Sequence, residues 1–148
     1  MPRRVLATVV TLPLVFLLVT MAPTHATPGI GPCDLTAKSG ESVAHFMRRR
    51  IICSVDRFGP VGGGATRAIC IAKRESGLDP TASSATGEYL GLFQQSSKMW
   101  PGRYKTWTRN AWQLSTNATN GRSNAIVTIR MVHAAGGWKD AGWPVKGC

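Results

Sequence analysis

The chain has 148 residues, 18 of them Lys or Arg against 7 Asp or Glu, for a formal net charge of +11. That length closes one small hydrophobic core and no more, and the charge points to a polyanionic partner. Nucleic acid is set aside on pattern: apart from Arg48-Arg49-Arg50 the basic residues are scattered, and no nucleic-acid motif is present.

Met1-Pro2-Arg3-Arg4 is followed by 18 uncharged, mostly apolar residues and then by Thr24-His25-Ala26. Basic, apolar, then small-x-small is the order of a secretory signal peptide, so residues 1–26 read as a leader cleaved after Ala26. The apolar run is long enough for an uncleaved anchor as the alternative, but Pro13 and Pro23 favour cleavage. The expected location is therefore secreted, extracellular or on the cell wall, with no transmembrane segment left. Without Arg3 and Arg4 the remaining 122 residues keep a charge of about +9, and outside a cell anionic wall polymers are the polyanion to meet.

Cys33, Cys53, Cys70 and Cys148 all fall in the exported part. They show no Cys-x-x-Cys and no His at ligand spacing, so disulfides are expected, and neither a metal nor a cofactor. Four cysteines allow three pairings. The preferred one joins Cys53 to Cys70, on successive helices, and Cys33 to Cys148, tying the ends.

Residues 27–40 are rich in Pro and Gly without periodicity and read as a lead-in pinned by Cys33. From Glu41 to Phe58, Val43, Phe46, Met47, Ile51, Val55 and Phe58 recur at steps of three and four, which predicts an amphipathic helix. Its Arg48-Arg49-Arg50 run is a solvated face or a contact for anionic polymer. Gly59 to Gly64 breaks that helix, and a second is predicted from about Ala65 to Ser76, stopped by Gly77 and by Asp79-Pro80.

The second helix carries Glu75 on the same face as Ala68, Ile71 and Ala72. The acid should be half-buried, in a last turn where both burial and the helix dipole oppose ionisation, an arrangement suited to a proton donor. The bland reading is a structural salt bridge to Lys73, Arg74 or Arg67.

TASSATGE, 81–88, is turn-rich, and Tyr89-Leu90-Gly91-Leu92-Phe93 suits one side of a small hairpin beside that helix. Ser96–Met99 predicts a short helix ended by Pro101-Gly102. A polar loop from Trp100 to Trp112 then carries Trp100, Tyr104, Trp107 and Trp112, aromatic residues suited equally to a core and to stacking against sugar rings. Ser123–Ala135 is apolar nearly all round and should be the central buried helix, with His133 as a packed, hydrogen-bonded residue. Trp138 and Trp143 close the domain.

Glu75-Ser76-Gly77, then Leu78-Asp79-Pro80-x-Ala82-x-Ser84, Gly87 and Gly91-Leu92-Phe93-Gln94 resemble the motif series of the soluble-type lytic transglycosylases and related bacterial lysozymes. Asn124-Ala125-Ile126 and Gly136-Gly137-Trp138 to Trp143 resemble the closing part of the same domains. The likeness spans residues 43–143, with the specific part between Glu75 and Gln94. It implies an α+β, predominantly helical, lysozyme-like domain over 41–148, disulfide-stapled and expected to be monomeric. In that family a hairpin borders a glycan cleft. Carried over, Glu75 is the acid and base acting on peptidoglycan glycan strands, and Gln94 with the Gly91-Leu92-Phe93 backbone lines a sugar subsite. Separately from the resemblance, Tyr104 and Trp107 of the polar stretch are the aromatic residues expected to meet the substrate. Three residues separate Gly87 from Gly91 where the family pattern has two, and the additional length brings in Glu88.

A retaining glycosidase needs a second carboxylate at about 5 Å, an inverting one at about 6.5–9.5 Å, and a transglycosylase none, because the 6-hydroxyl of muramic acid attacks. The expected reaction is cleavage of the MurNAc–GlcNAc β-1,4 linkage with 1,6-anhydro ends. A hydrolytic lysozyme pairing Glu75 with Glu88 is the alternative, and a non-catalytic wall- or polyanion-binding module a further one.

Overall fold

The computed structural model describes residues 31–148. The predicted leader, 1–26, and the first residues of the lead-in, 27–30, lie outside them. The described chain is α+β and predominantly helical: α1 (Val43–Phe58), α2 (Gly64–Ser76), β1 (Tyr89–Leu90), β2 (Gln95–Ser96), α3 (Trp100–Trp107), a 3-10 turn (Asn110–Trp112) and α4 (Gly121–Ala134).

α1 begins where Ser42 accepts the His45 N–H at 3.2 Å, two residues after the expected start, because a hydroxyl cap satisfies a first-turn donor that Glu41 leaves free. Glu41 instead accepts the Lys38 N–H at 2.9 Å and Arg49 at 2.8 Å, folding the lead-in back on the helix. α1 buries Met47 and Ile51 against Ala68, Ile71 and Ala72 of α2, and both pack on α4 through Ala125, Ile129 and Val132. Every residue of α4 from Ser123 to Ile129 is buried, as a helix apolar on all sides requires. Its cap is Asn120 rather than Ser123. Asn120 Oδ1 accepts the Ser123 N–H, while the Ser123 hydroxyl donates to the Ser115 carbonyl at 2.7 Å. His133 is hydrogen-bonded but exposed rather than packed: it lies near the frayed end of α4, with Nδ1 2.8 Å from the Pro60 carbonyl oxygen.

The polar loop expected over Trp100–Trp112 is a helix, α3, followed by the 3-10 turn. The short helix expected over Ser96–Met99 does not form: Ser96 ends β2 and Ser97–Met99 are a turn, while Pro101 stands in the first turn of α3, where a missing N–H costs nothing, so the proline starts a helix instead of ending one. Of the five tryptophans, Trp100, Trp138 and Trp143 are core: their indole N–H groups donate to the carbonyls of Thr116, Gly62 and Phe93.

Both disulfides form, with the other partners: Cys33–Cys53 and Cys70–Cys148. The expected pairs fail on helix phase. Cys53 lies about 200° round α1 from Ile51, and Cys70 about 200° round α2 from Ala68 and Ala72, so each sulfur points away from the α1–α2 contact. Cys53 thus meets the lead-in and Cys70 the C-terminal segment. Closing spans of 20 and 78 residues, the bridges contribute about 3 and about 4.5 kcal/mol in the chain-entropy model. Among the described residues no helix is long and apolar enough to cross a membrane.

Candidate functional site

Glu75 occupies the last turn of α2 with its side chain 24% exposed. The helix ends there because Gly77 takes the left-handed conformation, φ 67°, and its N–H returns to the Lys73 carbonyl at 2.8 Å. Of the three cations considered for it, Glu75 pairs with Arg74. Nη2 and Nε of that arginine donate to Glu75 Oε1 at 3.0 and 3.3 Å. The same guanidinium donates to the carbonyls of Pro144 at 2.6 Å and Lys146 at 3.1 Å. With the Cys70–Cys148 bridge and Arg67 Nε, 3.3 Å from the Cys148 oxygen, one face of α2 thereby grips the C-terminal segment beside the acid.

Ser76, next to the acid, reaches the hairpin: its hydroxyl donates to the Leu92 carbonyl at 2.8 Å, with the Ala72 carbonyl at 3.1 Å. The hairpin is smaller than expected. Tyr89 pairs with Ser96 and Leu90 with Gln95, antiparallel, and Ser83 bridges Leu90 from the other side. Gly91 to Gln94 form the connecting turn, not the strand that Tyr89–Phe93 predicted, because Gly91 at φ 76° and Gln94 at φ 48° both leave the extended region. At Gly91 a Cβ would collide with the Ala118 carbonyl oxygen, so this approach needs glycine.

The side chains of Leu92 and Phe93 are fully buried in the core. Much of the turn's backbone is committed inside the protein as well. Gly91 N–H donates to the Ala82 carbonyl, Phe93 N–H to Asn124 Oδ1 at 2.9 Å, and the Phe93 carbonyl accepts Trp143. Gln94 is half-buried, and its Nε2 donates to the Gly91 carbonyl at 3.0 Å and the Ala82 carbonyl at 3.3 Å. The lining role expected of Gly91, Leu92 and Phe93 is thus largely a folding role. Gln94 is the member of the series with a partly open side chain.

Glu88 is exposed at the entry to β1, where its carbonyl accepts the Ser97 N–H at 2.8 Å. Tyr104 and Trp107 lie on α3. The Tyr104 hydroxyl donates to the Leu114 carbonyl at 2.6 Å and its ring packs against Trp100, so its polar end is already used. Trp107 is half-buried and lines a recess of about 380 Å³ with Met131, Ala134 and Asp140. A roomier recess of about 450 Å³ runs along α1, lined by Leu35, Arg49, Ile52, Cys53, Asp56 and Arg57, and contains none of the expected site residues.

Three polar residues matter to the site beyond those expected to line it: Asn124, expected only as part of a motif, Gln95 and Arg103. Asn124, wholly buried on α4, binds the hairpin turn through Phe93 N–H and also donates to the Ala118 and Leu90 carbonyls. Gln95, also wholly buried, donates to Thr128 Oγ1 and accepts Arg103 at 2.6 Å. Burial holds the Arg103 guanidinium below its ordinary range.

Compared with known proteins, the chain matches no protein-family model, no curated protein and no solved structure.

Proposed function

We propose that the chain is a secreted peptidoglycan-cleaving enzyme of lysozyme-like fold, acting on the MurNAc–GlcNAc β-1,4 linkage. Glu75 serves as general acid and then as base, and 1,6-anhydro-MurNAc ends are released. The observation that carries this reading is the junction of the two motif halves. Glu75-Ser76 at the end of α2 is fastened to the Gly91–Gln94 turn by the bond from Ser76 to Leu92. A partly exposed carboxyl group in that position can, in its acid form, protonate the bridging oxygen and then, as the carboxylate so formed, take the proton of the 6-hydroxyl, so a single residue completes the exchange. Arg74, anchored on two carbonyls, fixes the rotamer of the acid.

The test is turbidity loss of a peptidoglycan suspension with wild type against Glu75→Gln. Clearing by the first and not by the second, with wall binding retained, is the expected result; equal clearing removes Glu75 from the chemistry. One observation favours the second reading, a non-catalytic wall-binding module: the Arg74–Glu75 pair is the contact a purely structural acid makes. On that reading neither protein clears the suspension.

A further inference from the structure

Arg130 on α4 and Arg109, between α3 and the 3-10 turn, converge on one set of rings. The Arg130 guanidinium carbon lies 5.1 Å from the Trp112 ring centre, 5.5 Å from Phe58 and 5.9 Å from Trp107. That of Arg109 lies 5.7 Å from Trp112. Arg130 Nη1 donates to the Trp107 carbonyl, which orients the fork. Among the described residues the arginines in ion pairs are Arg49, Arg74 and Arg122, with Glu41, Glu75 and Asp34. Arg109 and Arg130 therefore share one indole with no carboxylate between them.

Two like charges so placed repel, and burial together with Arg109 holds Arg130 below its ordinary range. Contact with the rings offsets part of that cost. A bound anion would offset more of it, and Arg130, held by the Trp107 carbonyl, has lost much of its rotamer freedom before the anion arrives.

We propose that Arg109 and Arg130 form a phosphate-binding site whose ligand is the phosphodiester backbone of an anionic wall polymer. Two guanidinium forks against one indole offer charge-assisted donors of the kind that phosphate oxygens accept. The rings are already in use: Trp112 packs on Phe58 at 5.3 Å, and Trp107 packs against the Trp100–Val127 cluster. Each of these rings thus has a face already packed, which leaves less for the base stacking on which single-stranded nucleic acid relies. The site stands apart from the cleavage reading and does not depend on Glu75.

The experiment is NMR of the arginine Nε–Hε and tryptophan Nε1–H signals during titration of the disulfide-bonded protein with a glycerol-phosphate oligomer. An oligothymidylate with the same number of phosphates is titrated in parallel. Expected are shifts at Arg109, Arg130 and Trp112, and at least tenfold weaker binding in Arg109→Gln, whose residue is exposed and not part of the core. The log–log salt slope should also fall by about one. Lys98→Gln, an exposed charge on the segment before α3, should weaken binding less than twofold. Equal losses in the two variants mean diffuse charge attraction and overturn the site. Tighter binding of the oligothymidylate overturns the choice of ligand, and silent Arg109 and Arg130 signals overturn both.

Discussion

The hydroxyl of Ser76 stands 2.8 Å from the carbonyl oxygen of Leu92, and this bond spans the 16 residues that separate the end of α2 from the hairpin turn. Leu92 is wholly buried, so its carbonyl has no ready exchange for water. Ser76→Ala should cost about 1–2 kcal/mol, the penalty for a buried acceptor that loses its donor. For a domain of this size the melting temperature should fall by about 4–8 °C. Wall clearing should fall as well, although Glu75 is intact, because the turn is no longer fastened beside it. Thermal unfolding and turbidity on one preparation measure both; an unchanged melting temperature would show that the bond carries no weight.

The helices were legible because periodicity is a local signal. Met47 and Ile51, or Ala68, Ile71 and Ala72, declare a face without reference to any distant residue. Gly77 marked the stop of α2 for the same reason. Proline ends a helix on one side and begins one on the other, and the signal that decides was present: Trp100, Tyr104 and Trp107 recur at steps of four and three and share one face of α3, a spacing that the polar residues between them mask. The disulfide partners depended on helix phase, which the spacing between cysteines does not encode but their position against Ile51, Ala68 and Ala72 does. At the site, Glu75 announced itself as a charge on an apolar face. Asn124 entered only as part of a motif, and its role was not legible, since a buried amide that serves a turn 31 residues away has no local pattern to declare it.

That amide supports a second prediction. Asn124→Ala leaves the Phe93 N–H and the Ala118 carbonyl, bonded at 2.9 and 2.8 Å, without partners inside the core. At about 1–3 kcal/mol for each such group the loss should exceed that of Ser76→Ala, and about 3 kcal/mol is expected. Denaturant unfolding of the two variants gives the order directly. A smaller effect for Asn124→Ala would mean that the turn finds other donors and acceptors.

Acid sensitivity should trace in part to Glu41. The Lys38 N–H holds its carboxyl below the ordinary value of 4.5; burial opposes this, and Arg49 reinforces it. A carboxyl with a depressed folded-state value binds its proton less readily folded than unfolded. Its stabilisation is therefore complete above the unfolded value and lost as pH falls through the folded one. Wild type should melt above Glu41→Gln at neutral pH, with the gap closing below about pH 4.5. Melting temperatures from pH 7 to 3 test this, and a gap that widens in acid reverses the sign and removes the assignment.

The product of cleavage turns on Glu88. Strand alternation sets Glu88 on the same side as Leu90, and Leu90 packs toward Trp100, Ala118 and Val127. Yet Glu88 itself is exposed, standing just before β1 where its carbonyl is held by Ser97 and its side chain has left the packed part of the hairpin. A nucleophile or a base for water must be held at a set distance from the acid, and a solvated side chain at the mouth of a two-residue strand pair is poorly held. The intramolecular route needs no second carboxylate, since the 6-hydroxyl is delivered by the substrate. On the proposed function, Glu88→Gln should keep clearing within about threefold of wild type, the range of a surface charge acting at a distance. Glu75→Gln should abolish clearing, and mass spectra of the released muropeptides should show ends one water lighter than reducing ends. Reducing ends alone, with Glu88→Gln as damaging as Glu75→Gln, would instead make Glu88 the second carboxylate of a hydrolytic pair.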